Sequence, residues 1–388
     1  MLPADETFLM GDSRWKLGVL EGRLNVEVQA SSVTHGDRPV LFLRYEDEGL
    51  LSFGESAALA SPLPGEPSLH DVAEALRGRS IHRIAATTAA RGGHLPPAAV
   101  VASLFGTTPL ERAVAHIVEM AVLDAELKEA AASLGSWLGA TSAFVAIGGL
   151  VSINEGETPD SVERRVLELL ESGVSRLRVK IRPGFDLEPL EMIRNVAPAV
   201  VLQADANGGY RLDGDEIDGP RALERLGGVG LAMIEQPFAA ANLVDHATLR
   251  SRISIPIALD EGVTGTQRVQ QILRYGAADA LCVKPGRLGG LAAAVEVLRM
   301  AAEHGVDAFV GGFFETGFAR SSLIALAAAP GATLISDLTS PSTYGLAGGE
   351  SYPSAVNGKL MVPTGPGVSG VDDSWLLDAG IDWRPLEI

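Results

Sequence analysis

Leu177-Arg178-Val179-Lys180, Leu202-Gln203-Ala204-Asp205, Met233-Ile234-Glu235, Ile257-Ala258-Leu259-Asp260 and Leu281-Cys282-Val283-Lys284 are short apolar runs that each finish on a charged side chain. A charge beside a buried run is costly unless it is paired or bound to metal, so the repetition points to one shared site. Between and beyond the runs lie stretches with helical spacing, as at 160–172, 189–196 and 291–303. Further runs at 144–147, 307–310 and 333–336 bring the β units to eight. Eight strands alternating with helices predict an α/β fold of the (β/α)8 TIM-type barrel class, which typically runs to about 250 residues. A doubly wound open sheet is the runner-up. It calls for Gly-x-Gly-x-x-Gly after its first strand, where Gly148-Gly149 is only a glycine pair.

Upstream of the barrel pattern the rhythm differs. Residues 15–56 alternate apolar and polar positions, the mark of half-exposed antiparallel strands. From about 69 to 134 the spacing is helical, clearest where Val114, Ile117, Val118, Ala121, Val122 and Ala125 recur. Strands followed by helices predict an α+β unit. The expected organisation is a capping domain over 1–134, a catalytic barrel over 135–338, and a Pro/Gly/Ser-rich C-terminal segment over 339–388 that returns to complete the capping domain. Polar loops at 31–39 and 57–67 are placed to cover a ligand.

Composition narrows the partners. The formal net charge is −18 and no Lys/Arg run occurs, which argues against nucleic acid or an anionic membrane, since both require basic patches. The N-terminus has no signal-peptide pattern and no apolar segment of about 18 residues follows, so a cytoplasmic protein is expected, with a homo-oligomer compatible. Cys282 is the single cysteine, which rules out an internal disulfide and fits a buried, inert thiol in a reducing compartment.

Counting strands from residue 144 places Asp205, Glu235 and Asp260 at the ends of neighbouring strands three, four and five. Oxygen ligands from three adjacent strands can surround one hard cation, and such a set suits Mg²⁺, with Mn²⁺ also fitting, better than Zn²⁺. Lys180 and Lys284 end strands two and six, across the ring from each other. A small-molecule carboxylate bound on the cation would have one lysine on each face, the geometry for moving a proton α to the carboxylate while the metal neutralises the enediolate. Arg178 shares a strand face with Lys180. It adds the positive charge that a lysine base needs nearby, can donate to the substrate, and otherwise makes a rim salt bridge. Asn207 shares a face with Asp205 and is either a ligand orienter or part of an Asx turn. Glu261 is positioned to pair with Lys284. After strand seven, Gly311-Gly312-Phe313-Phe314-Glu315-Thr316-Gly317 combines close backbone approach at Gly312 with an apolar wall and a polar Glu315. A Schiff-base aldolase or a non-catalytic binding protein could use the same scaffold, but neither requires three acids on adjacent strands.

The order Arg178-Val179-Lys180, Asp205-Ala206-Asn207, Glu235-Gln236-Pro237, Asp260-Glu261 and Lys284-Pro285-Gly286-Arg287-Leu288-Gly289-Gly290 resembles the muconate-lactonizing subgroup of the enolase superfamily. Lys180-Ile181-Arg182-Pro183-Gly184-Phe185-Asp186 and Val362-Pro363-Thr364-Gly365-Pro366-Gly367 are similar to the o-succinylbenzoate synthase / N-succinylamino acid racemase family within it. The resemblance implies a Mg²⁺ enzyme with a cap over the barrel mouth, Asp205, Glu235 and Asp260 as ligands, Lys180 as base, and Lys284 as second base or cationic stabiliser. The implied reaction is o-succinylbenzoate synthesis by syn-dehydration in the route to menaquinone; N-acylamino acid racemisation, or another cycloisomerase or racemase reaction of the subgroup, is the alternative. Two departures stand out: Arg178 occupies a position where that family usually has lysine, and arginine cannot give up its proton; the loops at 31–39 and 57–67 show little of the family's substrate-contacting pattern.

Overall fold

The computed structural model describes residues 14–30, 33–153, 157–340, 352 and 354–386. Its first layer is the antiparallel unit that the alternation predicts. The strands are β1 (Trp15–Leu20), β2 (Arg23–Ala30), β3 (Val33–Asp37), β4 (Val40–Asp47) and β5 (Leu50–Glu55). β1, β4 and β5 pair antiparallel, with Leu17 opposite Leu43 and Leu43 opposite Gly54. Against them packs helix α1 (Pro109–Glu129), which begins at a capping box between Thr108 and Glu111 with proline in its first turn; that combination satisfies the open N–H groups of a helix start. Val114, Ile117, Val118, Ala121, Val122 and Ala125 are all buried, so the face read from the spacing is the core face.

Next come β6 (Phe144–Ala146), β7 (Gly148–Val151), β8 (Arg176–Lys180), β9 (Val201–Asp205), β10 (Met233–Glu235), β11 (Ile257–Leu259), β12 (Ala280–Val283) and β13 (Asp307–Val310), followed by β14 (Lys359–Met361) and β15 (Arg384–Pro385). Strands β7 to β13 form one parallel sheet in chain order. The fold is the expected (β/α)8-type barrel with an N-terminal α+β cap, and β15 pairs antiparallel with β1, so the C-terminal segment does return to complete the cap sheet.

Two details of the strand count differ from the expectation. Residues 144–146 are not the first barrel strand: β6 pairs antiparallel with β14, Phe144 opposite Met361, and the parallel strand starts at Gly148. The glycine pair that lacked a phosphate-loop context is that strand. A Cβ on Gly148 would lie 2.2 Å from Arg176 Nη2, and one on Gly149 2.8 Å from Leu177 Cδ2, so any larger residue would displace the side chains of Arg176 and Leu177. The eighth unit, 333–336, is an extended segment rather than a regular strand. Thr333 N and Asp337 N donate to Ala308 O and Val310 O of β13 at 2.9 and 2.8 Å, and Gly148 N donates to Leu338 O at 3.1 Å, so the segment closes the ring with few bonds.

Cap and barrel are joined through helix ends. Helix α2 (Leu291–Glu303) starts at Gly290 with no capping side chain of its own; Glu119 of α1 supplies the acceptors, taking Leu291 N at 2.5 Å and Ala292 N at 2.9 Å. Helix α3 (Gly317–Ala327) is met in the same way by Glu55 of β5, which accepts from Thr316 N at 2.8 Å, Thr316 Oγ1 at 2.5 Å and Ala319 N at 3.2 Å. Burial pushes both carboxyls up from 4.5 to about 7, against the downward pull of these hydrogen bonds. The folded state therefore holds protons that the unfolded chain releases, and this contribution is complete below about pH 4.5 and lost as the pH rises through about 7. Glu119→Gln removes that titration and turns an NH₂ towards a backbone N–H. It is expected to lower stability at pH 5 by roughly 1–3 kcal/mol, the cost of an unsatisfied buried donor, with the deficit narrowing between pH 5 and pH 8. Urea melts of both proteins at the two pH values check this.

Candidate active site

The sheet register brings most of the predicted charges to one level. Lys180 lies opposite Asp205, and Asp205 opposite Glu235; Asp260 and Lys284 directly follow β11 and β12. Three strands, β9, β10 and β11, stand between those carrying Lys180 and Lys284, and both lysines line one cleft at the barrel mouth. Leu59 and Leu63 of the 57–67 loop line it from the cap side, and Gly312, Phe313 and Phe314 from the barrel side. Of the 31–39 stretch expected to be a polar loop, residues 33–37 form strand β3, paired with β2, and Ser31 and Ser32 lie outside the described residues.

Each carboxylate is met by a cation. Lys180 Nζ donates to Asp205 Oδ2 at 3.1 Å and to Asn207 Oδ1 at 2.7 Å. Burial alone would raise the Asp205 carboxyl, but Lys180 and then Arg178 draw it below the ordinary range. Lys284 Nζ donates to Asp260 Oδ2 at 2.7 Å, and Arg287 Nη1 to Asp260 Oδ1 at 2.6 Å. Burial disfavours the Lys284 ammonium, yet Asp260 more than offsets it and the pKa is raised; Asp260 is correspondingly lowered despite its own burial. Glu235 Oε2 accepts from Arg178 Nη1, while its Oε1 is buried without a hydrogen-bond partner among the described residues. Burial pushes the Glu235 carboxyl well up, and Asp205, Asp260 and Asp337 add to the rise against the pull of Arg178.

Asn207 combines its two predicted readings. Its N–H donates to Asp205 Oδ1 at 3.1 Å in an Asx-type turn with φ +42°, and its side chain links Lys180 to Glu261, donating to Glu261 Oε1 at 3.1 Å. Glu261 therefore takes Asn207 and not Lys284. Both residues lie in the turn after β11 and both line the cleft, and Asp260 is the one turned to the lysine. Arg178 is committed to Glu235 and, through Nη2 at 2.6 Å, to Asp337. Glu315 is buried and does not line the cleft; it accepts from Phe313 N and pairs with Arg320 at 3.1 Å, fastening the glycine-rich loop from behind. Cys282 is buried, as expected, and burial followed by the Asp260 charge pushes its thiol well up.

The donor atoms of Asp205, Glu235 and Asp260 do not all converge within 4.8 Å. Among the described residues, the group that does is Glu235, Cys282 and Asp337. In the first set, Asp205 and Asp260 are turned to their ammonium partners. In the second, a protonated thiol is a poor ligand for a hard cation, and Arg178 reaches both carboxylates. The oxygen set on β9, β10 and β11 is the better match to a hard divalent ion.

Residues 161–372 match the family model described as enolase C-terminal domain-like. This chain belongs to the enolase superfamily. An N-succinylamino acid racemase from Thermus thermophilus is 33% identical over 91% of this chain and 92% of its own length. An o-succinylbenzoate synthase from Geobacillus kaustophilus is 35% identical over 65% of each chain. Among solved structures, a probable mandelate racemase from Alicyclobacillus acidocaldarius superposes with a TM-score of 0.82 over 96% of this chain and 98% of its own, at 27% identity. No helix among the described residues is long and apolar enough to cross a membrane.

Several side chains that organise this enolase-superfamily barrel mouth were not singled out from sequence. Arg287 follows Lys284 by three positions on the short turn Pro285–Leu288 and also holds Glu66 of the cap loop at 2.6 Å; helical spacing was the available signal. Asp337 follows the eighth apolar run just as the other charges follow theirs. Gln236, with φ +42°, accepts from Asp260 N and Gly262 N at 3.0 and 3.1 Å and donates to Phe238 O at 2.7 Å. It thereby fixes the turn that carries Asp260, and no local pattern marks it. Gln236→Ala leaves two buried N–H groups unpaired and is expected to destabilise by roughly 1–3 kcal/mol for each, read from denaturant midpoints.

Proposed function

We propose that this protein removes a proton α to the carboxylate of a small molecule with the help of Mg²⁺, and that the reaction is o-succinylbenzoate synthesis. The observation that carries the reading is the pair of lysines at the ends of β8 and β12, lining one cleft with Asp205 and Asp260, with Glu235 buried beside Asp205 on β10. Asp205, Glu235 and Asp260 would hold the cation, or Mn²⁺ in its place; an all-oxygen donor set suits a hard ion, and the unpartnered Glu235 Oε1 leaves a lone-pair site for it. When bound, the ion supplies positive charge against the substrate carboxylate as the α-proton leaves.

The chain's own groups do the rest. Asn207 Oδ1 holds Lys180 Nζ at 2.7 Å, aiming the amine at one face of the substrate. The neutral amine takes the α-proton and becomes ammonium. In a syn-dehydration the same ammonium returns that proton to the hydroxyl leaving from the same face; the C–O bond breaks, water departs, and the electrons of the C–H bond complete the new ring double bond. Lys284 stays on the far face as a cation. Leu59, Leu63, Phe313 and Phe314 give the cleft an apolar wall, suited to a carbocyclic ring and to excluding water.

A second reading, N-succinylamino acid racemisation, uses the same residues with Lys284 as the opposing acid/base. It is favoured by the Thermus thermophilus racemase, whose similarity extends over nine-tenths of the chain, while that to the Geobacillus kaustophilus synthase covers about two-thirds. The purified protein with Mg²⁺ should release water from the cyclohexadiene carboxylate, or exchange the α-proton of N-succinyl amino acids in D₂O, and EDTA should abolish either activity reversibly. Lys180→Ala is expected to cut turnover about 10²- to 10⁴-fold, the scale of a general base, with Mg²⁺ binding by calorimetry retained. Unchanged turnover in that variant rejects the mechanism, and exchange with neither substrate class rejects both reactions.

A further inference from the structure

The cleft contains an ion-pair chain that the proposed chemistry leaves unused. Asp337, in the segment that closes the ring, is held from two sides: Arg176 Nη2 donates a hydrogen bond to its Oδ1 at 2.6 Å, and Arg178 Nη2 forms an ion pair with its Oδ2 at 2.6 Å without hydrogen-bond alignment. Arg178 then reaches on through Nη1 to Glu235. The backbone under Asp337 is fixed by its N–H to Val310 O at 2.8 Å. Arg176 also donates to Ile335 O at 3.2 Å and Ser336 O at 2.8 Å. Both arginines belong to β8 and must pass over β7 to reach this segment. For Arg176, β7 permits it because it carries no side chain at Gly148, where a Cβ would sit 2.2 Å from Arg176 Nη2 and 2.8 Å from Ser336 O.

This arrangement divides one guanidinium between two carboxylates. Arg178 presents its two terminal nitrogens to different partners, so Glu235 is oriented through Oε2 while its Oε1 remains unpartnered among the described residues. Were Asp337 neutral, the whole Arg178 charge would fall on Glu235, in direct competition with any cation there, and the guanidinium would lose its second ion pair. Arginine suits this post and lysine does not, because only the planar fork can serve two carboxylates in fixed directions.

We infer that Asp337 is a positioning residue for the cation site, acting on Glu235 through Arg178 without itself being a ligand. The inference rests on the metal-dependent reading above. It also gives the arginine at position 178 a task of its own: in this chain that side chain holds a ligand in place instead of reaching for substrate.

The test is a double-mutant cycle on the full-length protein, read by Mg²⁺ titration calorimetry, with thermal stability and kcat and KM at saturating Mg²⁺ recorded in parallel. Asp337→Asn should weaken Mg²⁺ binding about tenfold or more, the range for groups that orient metal ligands, with KM for substrate changed far less than Mg²⁺ affinity. In an Arg178→Met background the same substitution should have almost no further effect on Mg²⁺ affinity. If Asp337→Asn costs as much in the Arg178→Met background as in the wild type, Asp337 is a direct ligand and the inference is overturned. If its Mg²⁺ affinity stays within twofold of wild type while only the melting temperature falls, the role is structural and the inference is again overturned. Should Asp337→Asn fail to fold, Arg176→Met carries the test through the other side of the grip, with a smaller loss of Mg²⁺ affinity expected and an unchanged affinity overturning the idea. A wild-type protein that binds no Mg²⁺ would instead remove the functional reading on which the inference stands.

Discussion

Crowding like charges in a poorly hydrated space is the constraint that shapes this molecule. Asp205, Glu235 and Asp260 end adjacent strands, all three are buried, and Asp205 and Asp260 raise the cost of ionising Glu235, as Asp260 does for Asp205. Such a set persists only where positive charge is built in at the same level. The barrel supplies it from the flanking strands: Lys180 and Arg178 on one side, Lys284 and Arg287 on the other. The groups proposed to carry the chemistry are thus the groups that let the mouth of the barrel exist at all. A lysine that neutralises an acid in the resting protein is also held where a substrate on that acid's cation would meet it.

The fold was legible because its signal is periodic and repeated. Parallel strands buried on both faces read as short apolar runs, and the charges at the ends of three of them, Lys180, Asp205 and Glu235, fall in register, whereas Glu235 lies opposite Ala258, two residues short of Asp260. Legibility failed where the barrel closes. At 144–147 an apolar run suggested a strand in the ring, but those residues pair with β14, and the ring strand begins at two glycines that no propensity scale would choose. What selects Gly148 is the passage of Arg176 overhead, a contact between distant segments that leaves no local pattern.

The site was legible in its residue types and less so in its partnerships. Strand-end position predicted that the charges gather at the barrel mouth; Lys180 meets Asp205 and Lys284 meets Asp260, while Glu235 lies beside Asp205 and pairs with Arg178. It could not predict which carboxylate each cation prefers. Glu261 was read against Lys284 and instead takes Asn207; it lies in the turn after β11, where strand alternation does not set the direction of a side chain. Arg178 was read as a neighbour of Lys180 and is drawn across the mouth to Glu235 and Asp337. Gln236 and Glu119 act through backbone N–H groups, and acceptors of that kind carry no sequence signature.

Glu55 and Glu119 lie in the cap, yet the helix starts that they complete lie in the barrel. The two parts are therefore not interchangeable modules. A barrel joined to the cap of another relative would keep its strands and its charged mouth, but Leu291 N and Thr316 N would need acceptors from the incoming cap. Recombination within the family is then limited to parents that place a carboxylate at both points.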